Sequence, residues 1–523
     1  MGKKELTEEE AIIEAQKIKI IEKYFDEESG AFDVYKCVIG ILEEYKLVYA
    51  ESIGFYIFNA KYWERIGDIF VSNIILEELG PLYIPKYVRD TMDGLRSKNP
   101  IKMEDLNKNR NRMVLSNGTL DISDRKNHIF YEGKFFKEDY ATIRIGCNYD
   151  PDAQYPMFQK YINEVLNDDP ELIQLMQEFF GYCLTTSTKY EKAFILLGEG
   201  STGKSVLIDT LKELVCEQNY SCVPLSQLND DKYTAQLKDK LLNYSTEEED
   251  KPIKDVSKFK QLVSGDLIQA RFLYSNPITY KPFAKLIFAM NALPEMSNFD
   301  GAIQRRLVII PFNRKFEDHE KDFELKEGKL YKELDGILNW ALEGLKGLTS
   351  RDKSASQGFI TPKICQDLLS QYKNDCNPID QFLNDNVIVE SGSDVISSVL
   401  YEAYGEFCKS IGIKTDSDQK FAKMVKGKYK VEKLRKTFPG KGQQYYYPNM
   451  KMIDNKASSE FEQRALKQQN TISLSNKRNR NNKIKDENNY SSESSGIGFK
   501  KFPSITEEDE TELNIDKLLD EVF

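Results

Sequence analysis

The sequence predicts an α/β protein in which a core built on a parallel sheet is preceded by a mixed domain and followed by a small winged-helix unit. Three observations predict this. The first is the run Gly198-Glu199-Gly200-Ser201-Thr202-Gly203-Lys204-Ser205, a GxxxxGKS pattern between the apolar run 192–197 and the segment 206–215, whose apolar residues recur at helical spacing. The second is a series of short apolar runs downstream, at 240–245, 284–290 and 307–312, of the length expected for buried parallel strands. The third lies in 377–452. There, helical patterns near 378–383, 399–411 and 419–427 precede strand patterns at 431–434 and 443–447 around the turn Phe438-Pro439-Gly440-Lys441-Gly442.

In chain order, residues 1–48 form an N-terminal helical segment, with an amphipathic pattern over 8–24. A mixed domain follows over 49–185. It contains a strand at 53–59 leading to Trp63, a tight turn at Asn117-Gly118 entering a strand, and helices within 157–184. The core occupies 186–350 and closes with a helix carrying Ile337, Leu338, Trp340, Ala341 and Leu345. The winged-helix unit spans 375–452. Residues 453–523 are rich in Ser, Asn, Lys and Glu and read as a disordered tail.

Composition narrows the class. The 523 residues carry a net charge of −11, with 30% charged and 40% hydrophobic residues. No 18-residue apolar stretch and no leader pattern occurs, so a cytoplasmic protein is expected. Eight cysteines without a CxxC pair, and two isolated histidines, His128 and His319, argue against zinc and against a disulfide framework. The negative balance discourages a nucleic-acid partner, but it hides one patch: residues 409–441 hold eleven Lys/Arg against three acids.

The residues around the GxxxxGKS run carry phosphate chemistry. Backbone N–H groups of Gly198, Glu199, Gly200, Ser201, Thr202, Gly203, Lys204, Ser205 and Val206 at a helix N-terminus suit the phosphates of ATP, and Lys204 reaches the β- and γ-phosphates. The Ser205 hydroxyl serves a Mg²⁺ ion. The run 240–245 ends in Glu247-Glu248-Glu249, where a Mg²⁺-binding acid and a water-activating base belong; Glu247 and Glu248 are the candidates, in either order. Asn291 follows the run 284–290, where an amide can orient the attacking water, or can simply open a turn. Arg305 and Arg306 precede the run 307–312, and one of them suits a finger acting on a neighbouring subunit's nucleotide.

In this order the phosphate loop, the acidic strand end, the segment 259–271, the Asn291 strand and the arginine pair resemble superfamily 3 helicases. More narrowly they are similar to the phage/plasmid primase-helicase group, related to the poxvirus primase-helicase and to replication proteins of staphylococcal mobile elements. The resemblance covers 49–316 and extends more loosely to 452; residues 117–182 resemble the group's helicase-associated N-terminal domain. Asn243 and Tyr244 depart from the purely apolar strand usual before the acids.

The resemblance implies an AAA+ ATPase assembled as a homo-hexamer, translocating 3′ to 5′ on single-stranded DNA and melting a replication origin. It places a channel hairpin within 271–285, where Arg271, Lys281 and Lys285 alternate with Phe272, Tyr274, Tyr280 and Phe283 as grips for phosphates and bases. On the winged helix, Lys423, Lys426 and Lys430 would lie near a major groove and Lys441 near phosphate. The primase polymerase that many relatives carry has no counterpart, so primer synthesis is not expected. An initiator that uses ATP only to assemble on an origin is the competing reading. Residues 502–523 hold eight acids against one lysine, with Leu513, Ile515, Leu518, Leu519, Val522 and Phe523 on one apolar stripe if helical, and are expected to bind a host replication protein.

Overall fold

The computed structural model describes residues 7–51, 53–124, 127–246, 253, 255–273, 276–296, 299–353, 358–438 and 442–453. Two compact units, Met1–Pro378 and Ile379–Phe523, divide the chain. Glu247, Glu248, Tyr274, Lys441 and the tail from 454 onward lie outside the described residues.

The first unit is organised by a five-stranded sheet of β1 (Ala193–Leu197), β2 (Tyr220–Ser221), β3 (Leu242–Ser245), β4 (Lys285–Met290) and β5 (Leu307–Pro311). Its order is β5-β1-β4-β3-β2, and every neighbouring pair is parallel. Both faces are covered, which is why these strands read as unbroken apolar runs. Along β1, Phe194 and Leu196 enter one core while Ala193 and Ile195 enter the other, the two-residue alternation of a pleated strand. The first core also holds Leu207, Ile208 and Leu211 of the helix Lys204–Val215. Asn243, the departure inside β3, is fully buried and belongs there. Its side chain accepts from Ser221 Oγ (2.8 Å) and Val223 N–H (2.9 Å) and donates to the Val223 carbonyl (2.9 Å), fastening β3 to the β2 segment.

The expected domain boundaries at 48/49 and 185/186 are not where packing divides. The helix Val34–Glu44 buries Cys37, Val38 and Ile41 against Phe55, Val71, Ile75 and Leu95, so the N-terminal helices share a core with the strands after them. Met113, Leu115, Leu120 and Ile145 belong instead to the core that also holds Phe194 and Leu196 of the five-stranded sheet. The helices Pro156–Val165 and Pro170–Cys183 pack there against Leu334–Ser350, with the Trp340 ring edge-on to Phe158 (4.9 Å) and Phe180 (5.3 Å).

The second unit runs helix Pro378–Asn386, strand Val387–Ile396, helices Ser397–Ser410 and Asp418–Tyr429, then strands Leu434–Phe438 and Gly442–Met452. The three helices lie where expected and a hairpin follows them, but its first strand is Leu434–Phe438 rather than 431–434. The strand Val387–Ile396 was not expected, because Glu390-Ser391-Gly392-Ser393 interrupts its apolar pattern and its pairing shifts register between Val389 and Asp394. It pairs with Gly442–Met452, completing an antiparallel sheet over Phe382, Leu400, Tyr404, Phe421 and Val425.

Lys285, expected to face DNA, is instead the first residue of β4 and is 2% exposed. It lies mid-sheet opposite Leu242, where no nucleic acid can reach it. Its Nζ donates to the carbonyls of Thr185 and Phe283 and sits 4.7 Å from the Tyr182 ring centre. Burial pulls its pKa down to about 7. Between that value and the unfolded value of about 10.4, the unfolded chain binds one more proton than the folded one, so stability rises with pH. Lys285→Met should therefore flatten the urea-midpoint profile between pH 7 and 9, removing about 1 kcal/mol per pH unit of slope. Parallel profiles for the two proteins would contradict the buried amine.

Candidate functional site

The loop after β1 is fixed by close backbone approaches. The Gly198 N–H donates to the Met290 carbonyl at the tip of β4 (3.1 Å), and a Cβ at Gly198 would stand 2.3 Å from the Phe312 carbonyl oxygen. Gly203 adopts φ +89°, which favours glycine, and its carbonyl accepts from the Tyr161 hydroxyl at 2.8 Å. Thr202 Oγ1 closes the loop by donating to the Glu199 carbonyl (2.9 Å). The chain then enters the helix Lys204–Val215 with its N-terminal amides beside the loop.

Lys204 is 8% exposed. Its Nζ donates to the carbonyls of Gly198 (2.6 Å) and Glu199 (2.7 Å) and to Thr202 Oγ1 (3.1 Å), with Asn291 Oδ1 at 3.5 Å. Desolvation lowers its pKa from the ordinary lysine value. A cavity of about 530 Å³ opens over this ammonium, lined by the loop from Gly200 to Val206, by Thr246 beyond β3 and by Asn291 beyond β4. Phosphate-loop, β3 and β4 tips thus converge at the carboxyl end of the parallel sheet, where ligands of such folds bind. The Ser205 hydroxyl lies exposed in this cavity, a hard oxygen fitted to Mg²⁺. Thr246, the last described residue before Glu247 and Glu248, lies on its wall.

Sequence reasoning missed the rest of that wall. Met157 and Tyr161 come from the helix Pro156–Val165, and Phe316, Leu325 and Lys329 from the segment after β5. None belongs to a motif; the Phe316 N–H donation to the Ser201 carbonyl (2.9 Å) is a tertiary contact without a local signature.

The arginine pair lies at the other end of the sheet. Leu307 pairs with Ala193, so Arg305 and Arg306 stand level with the start of β1, whereas the phosphate loop follows its end. Five residues of strand separate the two ends by roughly 16 Å. The structure also distinguishes the two residues. Arg306 is 7% exposed and committed within the chain: to Ser264 Oγ (2.6 and 3.2 Å), the Ala302 carbonyl (3.0 Å) and Glu191 (2.9 Å). This removes it as a candidate finger. Arg305 has a side chain 65% exposed and one loose ion pair, to Glu191 at 3.6 Å.

A hairpin of Ile268–Arg271 paired with Pro277–Tyr280 overlaps the expected segment 271–285 but begins three residues before it. Arg271 and Lys281 are exposed, whereas Tyr280 is buried and unavailable for stacking. In the second unit, Lys423 and Lys426 lie exposed on the side of Asp418–Tyr429 opposite buried Phe421 and Val425, and exposed Lys430 caps that helix with a left-handed backbone. Much of the basic surplus is neutralised internally: Lys420 pairs with Asp416, Lys426 with Glu432, Lys428 with Asp380, Lys433 with Asp418 and Lys436 with Asp394. Lys423 and Lys430 have no ion pair among the described residues. Among those residues, no helix is long and apolar enough to cross a membrane.

Comparison with known proteins gives three family matches: "D5 N terminal like" over residues 41–167, a family of unknown function (DUF5906) over 196–306, and "Poxvirus D5 protein-like" over 374–495. The chain is 24% identical over 434 residues to "Putative helicase L207/L206" of Acanthamoeba polyphaga mimivirus, covering 71% of this chain and 45% of that protein. It is 24% identical over 226 residues to "Primase D5" of fowlpox virus, covering 40% of this chain and 28% of that one. The chain therefore spans less than half the length of either curated relative. Among solved structures, the C-terminal region of NrS-1 aligns at 13% identity and a TM-score of 0.48, over 80% of this chain and 98% of that one. The D5-type matches on both sides of the phosphate loop, with the two viral relatives, support a likeness to the D5-type primase-helicase group.

Proposed function

We propose that this chain is an ATP-dependent replicative DNA helicase and initiator of a phage, plasmid or other mobile element, acting as a AAA+ ring of six copies that moves 3′ to 5′ on single-stranded DNA. The observation that carries this reading is the separation of Lys204 and Arg305 to opposite ends of one sheet. An exposed arginine that cannot reach its own phosphate loop is suited to a neighbour's, which calls for a ring. The strand order β5-β1-β4-β3-β2 and the second unit, read as a winged helix, support the same assignment.

In this reading the loop amides and Lys204 hold the β- and γ-phosphates of ATP. Ser205 and Glu247 would hold Mg²⁺, which when bound offsets phosphate charge. Glu248, or Glu247 in the reverse assignment, takes the proton of the attacking water, and Asn291, 3.5 Å from Lys204 Nζ, orients that water beside the γ-phosphate. Arg305 of the adjacent copy stabilises the departing charge. Arg271 and Lys281 grip the translocating strand, while Lys423, Lys430 and Lys441 bind duplex phosphates. The acidic tail docks a host replication protein.

Strand displacement on a 3′-tailed fork tests the proposal directly: ATP hydrolysis without displacement would favour the origin-assembling initiator instead. Lys204→Ala should abolish hydrolysis and leave duplex binding by the second unit intact, since the two surfaces belong to separate units; retained hydrolysis would remove the central claim.

The arginines should separate cleanly. Arg305→Ala should bind ATP normally yet lose turnover by about a thousandfold or more. Arg306→Ala should be the variant that costs about 2 kcal/mol of stability, read from the urea midpoint, because it strands Glu191 and Ser264. The reverse pattern would exchange their roles.

Replacing Lys423 and Lys430 by alanine should reduce the log–log salt slope of duplex binding by about two. Adding Lys426→Ala should change it less, since Glu432 already neutralises that lysine. A slope indifferent to all three would mean that this helix face is merely solvated.

A further inference from the structure

The segment entering β1 holds both members of the arginine pair. Glu191 has a left-handed backbone, φ 49°, a conformation that a non-glycine residue keeps only under support from its surroundings. Its N–H donates to the Thr188 carbonyl at 3.0 Å. One carboxylate oxygen, Oε2, lies 2.9 Å from Arg306 Nη2 and 3.6 Å from Arg305 Nη2. The next residue, Lys192, donates from Nζ to the Arg305 carbonyl at 2.6 Å.

These contacts form a graded chain. Ser264 and the Ala302 carbonyl fix the buried Arg306 guanidinium, Arg306 fixes the Glu191 carboxylate, and that carboxylate stands beside the exposed Arg305. A long exposed arginine samples many rotamers, whereas a group acting on another subunit's phosphate must be aimed. The short contact to Arg306 keeps Glu191 in place. The longer one to Arg305 biases its direction and is weak enough to be exchanged for a phosphate oxygen.

We propose that Glu191 is a positioning residue for Arg305, with Arg306 as the buried anchor that holds Glu191 in register. The inference rests on Arg305 acting on the neighbouring copy's nucleotide. Glu191 lies at the end of the sheet away from Lys204 of its own chain, so it acts through Arg305 and not on its own nucleotide.

The test uses the full-length protein and steady-state ATP hydrolysis. Glu191→Gln retains an acceptor for Arg306 while removing the charge that orients Arg305. It should lower kcat about ten- to a hundredfold, leave the KM for ATP within about twofold and leave the melting temperature within about 2 °C. In an Arg305→Ala background the same substitution should cause no further loss, because a residue acting through Arg305 has nothing left to act on. Mixing Glu191→Gln with Lys204→Ala protomers should restore turnover, since some intact phosphate loops then face an Arg305 that keeps its Glu191. Three results would overturn the inference. A loss that multiplies on top of Arg305→Ala makes Glu191 only a structural support of Arg306. A wild-type kcat for Glu191→Gln beside an impaired Arg305→Ala means that Arg305 needs no aiming, while its role in trans stands. Full turnover by Arg305→Ala itself removes the role in trans, and this inference with it.

Discussion

A lysine ammonium held against the carbonyls of its own loop is the constraint from which the rest of this architecture follows. Lys204 is buried and donates to the carbonyls of Gly198 and Glu199, and also to Thr202 Oγ1. For those carbonyls to point inward, the loop must turn tightly between a strand and a helix. The turn is possible because Gly198 lies against Phe312 and Gly203 takes a backbone angle that favours glycine. The strand must in turn be central, so that β4 and β5 flank it and bring Asn291 and Phe312 to the same end. Parallel packing, buried on both faces, is what sets those strand tips level.

The same parallel geometry makes the sheet two-ended. Everything that follows a strand collects at one end and everything that precedes a strand collects at the other. Lys204, Ser205, Thr246 and Asn291 belong to the first set, and Glu191, Arg305 and Arg306 to the second. Because strand length fixes their separation, no side-chain rotation within one protomer brings the two sets together. Division of a phosphate site between subunits is thus compatible with the strand register itself, independently of any motif.

This explains what could and could not be read from the sequence. The phosphate loop, its flanking strand and helix, and β3 to β5 were legible because each is a contiguous apolar run with a distinctive terminus. The helix Glu8–Tyr24 and the three helices of the second unit were legible from periodicity alone. Lys285 was misread because a cation between aromatic residues looks like a solvent-facing hairpin; only the sheet order reveals that its strand is central and its amine roofed by Thr185. Arg305 and Arg306 are chemically identical, and which is buried depends on Ser264, some forty positions away. The strand Val387–Ile396 was hidden by a Ser-Gly-Ser interruption, and the cavity wall around Phe316 by the absence of any repeating pattern. In each case the missing information is non-local contact rather than residue type.

Charge in the second unit shows the same limitation and also its resolution. Counted along the sequence, the eleven cations at 409–441 read as one basic surface, yet folding brings Asp380 and Asp394 from outside that stretch onto Lys428 and Lys436. Acids within it take Lys420, Lys426 and Lys433. Each exposed pair is worth little energy, but together they narrow a diffuse patch to a few lysines without an ion pair among the described residues, Lys423 on the helix and Lys430 at its cap among them. A chain with a net charge of −11 can therefore keep a narrow cationic stripe without a general affinity for polyanions, because the stripe's field is screened beyond about 10 Å at 0.1 M salt. Any polyanion contact made through so few charges would carry a shallow salt dependence, about one unit of log–log slope for each phosphate met.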